Sequence, residues 1–287
     1  MTWLIFAFLT ALFESLKDLF SKLGLRQINE YIIAWSFLVF ALPILLPLLL
    51  ITGIPELSTR YFMALLIGSS INSTVAVLYM KAIKLSDLSV TVPLVTFTPL
   101  FLLITSPVII GEFPEPLGLL GVVLIVMGAY MLNIKEQKQG WAAPFRALLK
   151  EAGPRLMLLV AFLWSITANI DRIGVEETSP MFWSVSVMMM MTLLLTPIVI
   201  WKTGNPFVHL HGNYRALIPI GVFHGLTILN QMTAISMAMV AYVIAIKRMS
   251  TVLSVIWGTL ILKEKGITER LTGVIIMIAG VLFITLS

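Results

Sequence analysis

Long apolar blocks constrain the fold of this chain more than any other feature of its sequence. Each block is roughly 20 residues long, the length of helix that crosses a hydrocarbon core near 30 Å. Inside lipid every backbone N–H and C=O group must be satisfied internally, so only helices and closed barrels can span it. The blocks lack the alternation of polar and apolar residues that barrel strands require. The sequence therefore predicts an all-α integral membrane protein.

About ten apolar blocks can be counted along the 287 residues. Numbered as predicted helices 1 to 10, they cover roughly residues 2–21, 31–51, 60–80, 87–110, 115–133, 155–173, 180–201, 214–236, 240–262 and 268–286. We predict two five-helix units, residues 1–133 and 155–287, joined by a polar linker at 134–154. The first block has neither a basic leader nor a small-residue cleavage site, so we expect a membrane helix there and no signal peptide.

The composition excludes several kinds of site. The chain has no cysteine, which rules out disulfides, cysteine-ligated zinc and thiol catalysis. Two of its three histidines, His209 and His211, fall in a predicted loop, so we expect neither a metal nor a cofactor. The net charge of +5 is explained by membrane topology, so we expect no nucleic-acid partner. The expected partners are a small-molecule substrate, membrane lipids and protons, with the chain acting as a monomer or homodimer.

The two halves of the sequence repeat each other. A shift of 152 positions relates identical residues over about fifty positions, and a shift of 150 relates the starts of the halves. The pairs are Met80–Met232, Ala82–Ala234, Ile83–Ile235, Ile109–Ile261, Glu112–Glu264, Gly121–Gly273, Gly128–Gly280, Ser15–Ser165, Lys22–Arg172 and Gly24–Gly174. Because five helices per unit is an odd number, the second copy enters the membrane from the opposite side. Such inverted repeats are common in transporters, with the substrate site near the midplane.

The basic residues predict the orientation. Fourteen lie in one set of loops, whereas Arg60 and Arg172 alone lie in the other set. The fourteen are Lys22, Arg26, Lys81, Lys84, Lys135, Lys138, Arg146, Lys150, Arg155, Lys202, Arg215, Lys263, Lys265 and Arg270. This bias predicts a cytoplasmic linker and termini on the outside, in what we expect to be the plasma membrane of a prokaryote.

The segments GEFPEPLGLLGVVLIVMG (111–128) and KEKGITERLTGVIIMIAG (263–280) resemble the EamA repeat of the drug/metabolite transporter superfamily. In that repeat a glutamate follows an apolar helix, and the final helix carries glycines seven positions apart. The resemblance covers both halves and implies a ten-helix carrier that moves a metabolite, often outward. Members often have cytoplasmic termini, the opposite of the orientation that the charges predict. The matching residues are Glu112, Gly121 and Gly128 in the first half and Glu264, Gly273 and Gly280 in the second.

Lys247 and Arg248 are two adjacent cations about eight residues into predicted helix 9. A charged side chain near the bilayer centre costs several kcal/mol unless it faces protein or water. Lys247 shares a helical stripe with Ser250, Thr251 and Ser254, a pattern that suits the wall of a substrate cavity. We predict that Lys247, Arg248, Ser250 and Ser254 bind substrate. The alternative is that both cations extend to the membrane surface.

Glu14 is an acid inside predicted helix 1, with Lys17 and Asp18 three and four positions later. Glu14 with Lys22 resembles the first helix of the small multidrug resistance family, which implies a buried glutamate that exchanges a proton for a cationic drug. Carboxylates in desolvated sites can load and release protons near neutral pH. We predict that Glu14 couples transport to protons. The alternative is a structural ion pair with Lys17.

Polar residues also mark predicted helices 3, 6 and 8. The repeat relates Asn72 to His224 and Tyr79 to Gln231, so we predict that these four side chains face one substrate site. Interhelical hydrogen bonding, worth about 1 kcal/mol per bond, is the alternative. Asn169 in predicted helix 6 is deep enough to join them.

Glycines, prolines and a repeated acid predict local structure. The glycines seven apart lie on one helix face and should let predicted helices 5 and 10 pack closely. Pro93, Pro99 and Pro107 should kink or break predicted helix 4. Predicted helix 9 has no proline at the matching positions, so this flexibility should be asymmetric. Glu112 and Glu264 each lie in a short loop before a helix, and we expect them to have a structural role there by complementing the helix dipole.

These features favour a secondary transporter that exports a small metabolite by alternating access, for example an amino acid, which would suit both a cationic pair and an acid. Two alternatives remain open. A membrane enzyme acting on a lipid-linked substrate would use intramembrane acids and bases, but no HExxH, GxSxG or paired aspartates are found. A non-transporting assembly subunit would not need Lys247.

Overall fold

All regular elements in the described residues of this computed structural model are helical. The structure describes residues 2–24, 28–85, 92–134, 150–261 and 267–287. The helices are α1 (Thr2–Gly24), α2 (Glu30–Val39), α3 (Leu42–Leu45), α4 (Leu48–Thr52), α5 (Thr59–Leu85), the 3-10 helix η1 (Val92–Phe97), α6 (Thr98–Ile109), α7 (Pro116–Ile134), α8 (Ala152–Glu177), α9 (Pro180–Thr203), α10 (Pro206–Met237), α11 (Val240–Lys247), α12 (Ser250–Leu260) and α13 (Ile267–Leu286).

Four stretches among the described residues are long and apolar enough to cross a membrane unaided: Thr59–Tyr79, Ala152–Glu177, Pro180–Thr203 and Asn213–Met237. Shorter apolar helices lie at Tyr31–Leu45, Leu94–Ile109, Pro116–Met131 and Thr272–Leu286. The prediction of an all-α integral membrane protein is confirmed. The count of ten crossings stays a prediction, because several predicted helices consist of shorter pieces, such as α2, α3 and α4 in place of predicted helix 2.

The helices form two compact units, each with its own internal contacts. Unit 1 contains residues 1–74 and 170–237, and unit 2 contains residues 75–169 and 238–287. Each unit therefore combines elements from both halves of the sequence. The predicted boundary at 134–154 concerns the sequence repeat and stays a prediction, and residues 135–149 of that linker lie outside the described residues.

In unit 1, α1 packs antiparallel against α10 through large side chains. The rings of Phe13 and Phe20 stack on Phe223, with centroids 6.2 and 5.6 Å apart. At the other end of the pair, Thr2 lies beside Met237. These stacked rings fill part of the interface between the two helices.

In unit 2, α7 packs antiparallel against α13 through glycines. A Cβ added to Gly121 would lie 2.6 Å from the carbonyl oxygen of Gly280, and one added to Gly280 would lie 2.6 Å from that of Gly121. At the other end, a Cβ on Gly128 would lie 2.5 Å from the carbonyl oxygen of Gly273. The predicted close packing of helices 5 and 10 is thus confirmed, and its cause is direct contact between backbones.

Predicted helices 4 and 9 are both interrupted, at positions 152 apart. The 3-10 helix η1 gives way to α6 at Thr98, and α11 gives way to α12 at Ser250. Around the second interruption the N–H groups of Arg248 and Met249 bond carbonyls three residues back, as in a 3-10 turn. The prediction that only the proline-containing predicted helix 4 would be interrupted is therefore wrong, and Pro107 lies inside α6 without ending it.

Candidate substrate and proton sites

All ten residues predicted to act in transport lie in the described part of the chain. The unit 1 members are Glu14, Asn72, His224 and Gln231. The unit 2 members are Tyr79, Asn169, Lys247, Arg248, Ser250 and Ser254. That all ten line one cavity stays a prediction.

The charged pair of unit 2 lies where α11 ends. Lys247 is the last residue of this helix, and Arg248 is its C-cap. Both side chains are half-buried, Ser250 is buried, and Ser254 is half-buried. A helix C-terminus carries a partial negative charge on carbonyls that have no partner in the helix, and cations there are stabilised. The interruption therefore places the two cations beside a helix C-terminus within the apolar segment.

Helix α11 is fixed at its other end by an acid from a distant loop. The backbone N–H of Val240 donates a 2.8 Å hydrogen bond to Oε2 of Glu112. The N-cap residue, Met239, has no side chain that can make this bond. Glu112 therefore has a structural role as the cap of α11, whereas its expected effect on the start of α7 stays a prediction. Its repeat partner, Glu264, lies outside the described residues.

The rest of α11 is held by packing. Residues 240–246 are all buried, with relative exposures between 0% and 8%. Tyr242 reaches α7 at Gly118, where an added Cβ would collide with its hydroxyl oxygen. This burial, together with the Glu112 cap, fixes the position of Lys247 at the end of the helix.

Glu14 lies in a cluster of charged and aromatic side chains in unit 1. The ammonium of Lys17 is 2.8 Å from Oε1 of Glu14 and 3.5 Å from Oδ1 of Asp18. It also lies 5.5 Å from the ring centroid of Phe37 on α2. The Phe37 ring in turn lies 5.5 Å from the ring of His224 on α10. The structure thus links two of the predicted residues, Glu14 and His224, through Lys17 and Phe37.

The other polar residues of unit 1 differ in burial and in hydrogen bonding. Gln231 is buried and Asn72 is half-buried. Most buried hydroxyls bond a carbonyl of their own helix, as Thr227 does with Phe223 at 2.8 Å. Ser69 and Ser73, next to Asn72 on α5, are exceptions, because their buried hydroxyls find no hydrogen-bond partner in the described residues. A buried polar group without a partner costs about 1–3 kcal/mol, so a conformational or functional reason for it is expected.

Asn169 is fully buried in a hydrogen-bond network of unit 2. Its Nδ2 donates to Oγ1 of Thr105 at 3.0 Å and to the carbonyl of Ser165 at 2.8 Å. Its Oδ1 accepts a 2.8 Å hydrogen bond from Ser106. These contacts match the interhelical alternative, because they join α8 to α6. A role for Asn169 in binding substrate stays a prediction.

One ring contact and three hydrogen bonds involve α8. In unit 2 the ring of Tyr79 lies 5.7 Å from that of Trp164. In unit 1 the indole of Trp183 donates a 2.9 Å hydrogen bond to the buried Asp171, and Arg172 binds both Glu176 and the carbonyl oxygen of Ile235. Arg172 thus ties the end of α8 to the last turn of α10.

Unit 1 also has an open groove of about 380 Å³, lined mainly by apolar side chains. Its lining residues are Leu42, Met189, Thr192, Leu193, Thr196 and Pro197. None of the ten predicted transport residues is among them. The groove therefore lies apart from the charged cluster around Glu14.

Sequence reasoning missed three features of these sites. Phe37 lies in an apolar block, where an aromatic residue facing a charge looks like one facing lipid. The target of Glu112 is 128 positions away along the chain, so no local pattern could reveal it. For the end of α11 at Lys247–Arg248, the sequence offers one signal, namely two adjacent charges inside an apolar segment.

Comparison with known proteins gives a family and a fold. The family model described as the EamA-like transporter family matches residues 1–134 and again residues 152–286. One solved structure, described only as a crystal structure of a protein, superposes with a TM-score of 0.78. That alignment covers 99% of this chain and 96% of the other at 13% sequence identity, so it shows the fold alone. None of the curated proteins matches the chain.

Proposed function

Because the chain belongs to the EamA-like transporter family, we propose that it is a secondary transporter that exports a small metabolite by alternating access. The family match confirms the resemblance of the two repeated segments. It is established that the chain is an integral membrane protein and belongs to a transporter family. The substrate, the outward direction, the coupling to protons and the prokaryotic plasma membrane belong to the proposal.

The paired helix interruptions are the observation that carries this proposal. Helices α6 and α12 begin at Thr98 and Ser250, which the repeat relates by its shift of 152. In transporters built from repeats, discontinuous helices at corresponding positions commonly form the substrate site, because their ends expose polar backbone groups. In this chain one of the two interruptions also carries Lys247 and Arg248.

The glycine contacts support an inverted repeat. Gly121 meets Gly280, which is the repeat partner of Gly128, and Gly128 meets Gly273, which is the repeat partner of Gly121. Such reciprocal contacts between antiparallel helices are what a two-fold axis perpendicular to the helices produces. For helices that cross a membrane, this axis lies in the membrane plane, as inverted five-helix repeats require.

The proposed substrate is an amino acid or a related compound. Lys247 and Arg248 offer positive charge to a carboxylate, and Glu14 offers negative charge to an ammonium group or a proton. A zwitterionic metabolite matches both kinds of site, whereas a purely anionic one would leave Glu14 without a role in binding.

Transport itself is tested with purified protein in proteoliposomes and a panel of radiolabelled amino acids and related metabolites. Protein-dependent, saturable flux of one class is expected. A membrane enzyme would convert its substrate without moving it, and an assembly subunit would give no flux above empty liposomes. Either result would contradict the proposal.

The proposed orientation, with the termini outside, is tested separately by labelling. The chain has no cysteine, so single cysteines can be introduced at Gln139 and Ser287. A membrane-impermeant reagent added to intact cells should label only the Ser287 position. Labelling of the Gln139 position from outside would show that the orientation is the reverse of the proposed one.

A further inference from the structure

The ammonium of Lys17 occupies a position that suits a ligand. It lies 2.8 Å from the Glu14 carboxylate and 5.5 Å from the centroid of the Phe37 ring, which comes from another helix. The side chains of Lys17 and Glu14 are only 11% and 16% exposed. A carboxylate together with an aromatic face is the combination with which proteins recognise alkylammonium groups.

Asp18, the third neighbour of Lys17, offers the Lys17 ammonium a second carboxylate to pair with. Asp18 lies 3.5 Å from the Lys17 ammonium, and its side chain is 52% exposed, far more than that of Glu14. Lysine has a flexible four-carbon stem, so rotation of its side chain can carry the charge from the buried acid to the exposed one. The Lys17 ammonium therefore occupies an inner position at Glu14 and can reach an outer position at Asp18.

From this arrangement we propose that Glu14 and Phe37 bind the primary ammonium group of the transported substrate, and that Lys17 is a tethered competitor that fills this site when substrate is absent. The inference rests on the proposed transport function and specifies the substrate class at the Glu14 site as an amine. When substrate binds, its ammonium replaces that of Lys17, which moves to Asp18.

The energetics of the membrane interior favour such an exchange. A carboxylate in the membrane interior that loses the cation beside it suffers a large desolvation penalty, which makes an empty site costly. Replacing one ammonium by another keeps the charge of the site balanced at every stage. A fixed structural ion pair on one helix would need neither the aromatic face of α2 nor the second acid.

The competitor lowers the apparent affinity by a definite factor. If Lys17 leaves the site free in only a fraction of molecules, the apparent dissociation constant rises by the inverse of that fraction. A site that is free about one-tenth of the time therefore binds about tenfold more weakly than the same site without the lysine. Removing the ammonium of Lys17 should reverse this loss.

The test uses the full chain in detergent, with isothermal titration calorimetry and n-butylammonium as the probe. Lys17→Met keeps the length of the side chain and removes its charge, so butylammonium should bind about tenfold more tightly than to the wild type. Lys17→Arg retains a competitor and should bind like the wild type. Lys202→Met is the matched control, because Lys202 also lies over an aromatic ring, that of Trp201, but at an exposed position.

Two further variants keep the test decisive should Lys17→Met fold poorly. Asp18→Asn alters an exposed side chain and removes the outer resting place, so butylammonium should bind up to about fivefold more weakly, the range of an exposed ion pair. Glu14→Gln should abolish binding of the probe. Wild-type affinity in Asp18→Asn, or equal binding of butylammonium and neutral butanol, would overturn the inference.

Transport kinetics separate this inference from the proposed function. In proteoliposomes Lys17→Met should lower both KM and kcat for an amine substrate, because the lysine no longer helps to displace it. Saturable flux of a compound without an amine, with no binding of butylammonium by any variant, would overturn the amine site and leave transport standing. Tight binding of butylammonium to Lys17→Met without flux of any compound would support the site and refute transport.

Discussion

The two regions with charge inside apolar helices stabilise that charge in different ways. On α1 the helix is continuous from Thr2 to Gly24, and the charge of Lys17 is met by Glu14 on the same helix. At the junction of α11 and α12 two cations are adjacent, and the helix itself ends beside them. One region therefore relies on a side-chain acid, whereas the other has the partial negative charge of a helix end.

This difference predicts different chemistry for the two regions. A carboxylate can take up a proton, so the α1 region can exchange a cation for a proton. The junction carries two adjacent cations, so it can attract an anionic group of the substrate. The proposed roles are therefore coupling for Glu14 and anion binding for Lys247, and each role can be tested by a single substitution.

Glu14→Gln has the largest expected effect. The amide keeps the shape of the side chain but cannot release a proton, so substrate accumulation driven by a pH gradient should be lost. Exchange of substrate needs no net proton movement, but it should remain only at raised substrate concentrations, because the variant also lacks the carboxylate proposed to bind the substrate ammonium. Uptake into proteoliposomes with and without an imposed gradient measures both. If the variant retained the pH dependence of the wild type, Glu14 could not be the coupling group.

Lys247→Met tests the other side of the comparison. If Lys247 contacts the substrate, its removal should weaken apparent affinity about 10- to 150-fold, from the loss of about 1.5–3 kcal/mol for a hydrogen bond to a charged group. Lys247→Arg should restore this only in part, because a planar guanidinium needs a different space from an ammonium. Saturation kinetics in proteoliposomes measure the change, and Lys202→Met provides an exposed control.

A purely structural role of Lys247 would be recognised by a change in stability without a change in affinity. If the lysine serves only the end of α11, Lys247→Met should lower the thermal stability of the purified protein and leave its affinity unchanged. Wild-type affinity and rate in a folded variant would therefore place the anion site elsewhere.

Much of the helical scaffold could be predicted from the sequence, because apolar blocks and glycine spacing act directly on packing. Gly121 and Gly128 predicted a close helix pair, and that pair is observed between α7 and α13. The interruption of predicted helix 4 also follows from its prolines. These features are local, so a single sequence is sufficient to reveal them.

The environments of the charged residues could not be predicted in the same way, because they depend on partners far along the chain. The interruption at Lys247–Arg248 has no proline, and α11 is capped by Glu112 from a loop in the other half of the sequence. Phe37 completes the surroundings of Lys17 from a separate helix. Charge and polarity identified candidate residues, whereas their partners became known only from the fold.

Glu112→Ala tests how strongly the cap at the N-terminus of α11 holds this helix in place. Loss of this cap leaves the N–H of Val240 without its acceptor, and the free energy of unfolding should fall by about 1 kcal/mol. Thermal unfolding in detergent measures the change. Glu115→Ala, an exposed acid in the same loop, should have little effect. Equal stability of the two variants would mean that the cap does not hold α11 in place.

Ser73→Ala has the smallest expected effect and tests whether unit 1 also offers neutral groups to the substrate. The Ser73 hydroxyl is buried and lacks a hydrogen-bond partner within the described residues, so its removal should raise the free energy of unfolding by up to about 1 kcal/mol. If the substrate supplies the missing partner, affinity should fall about three- to tenfold in the same variant. Ser36→Ala is the matched control, because the buried Ser36 hydroxyl donates to the carbonyl of Ile33 and its loss should lower stability slightly. Higher stability with unchanged affinity would make Ser73 a packing residue and confine substrate recognition to the charged groups.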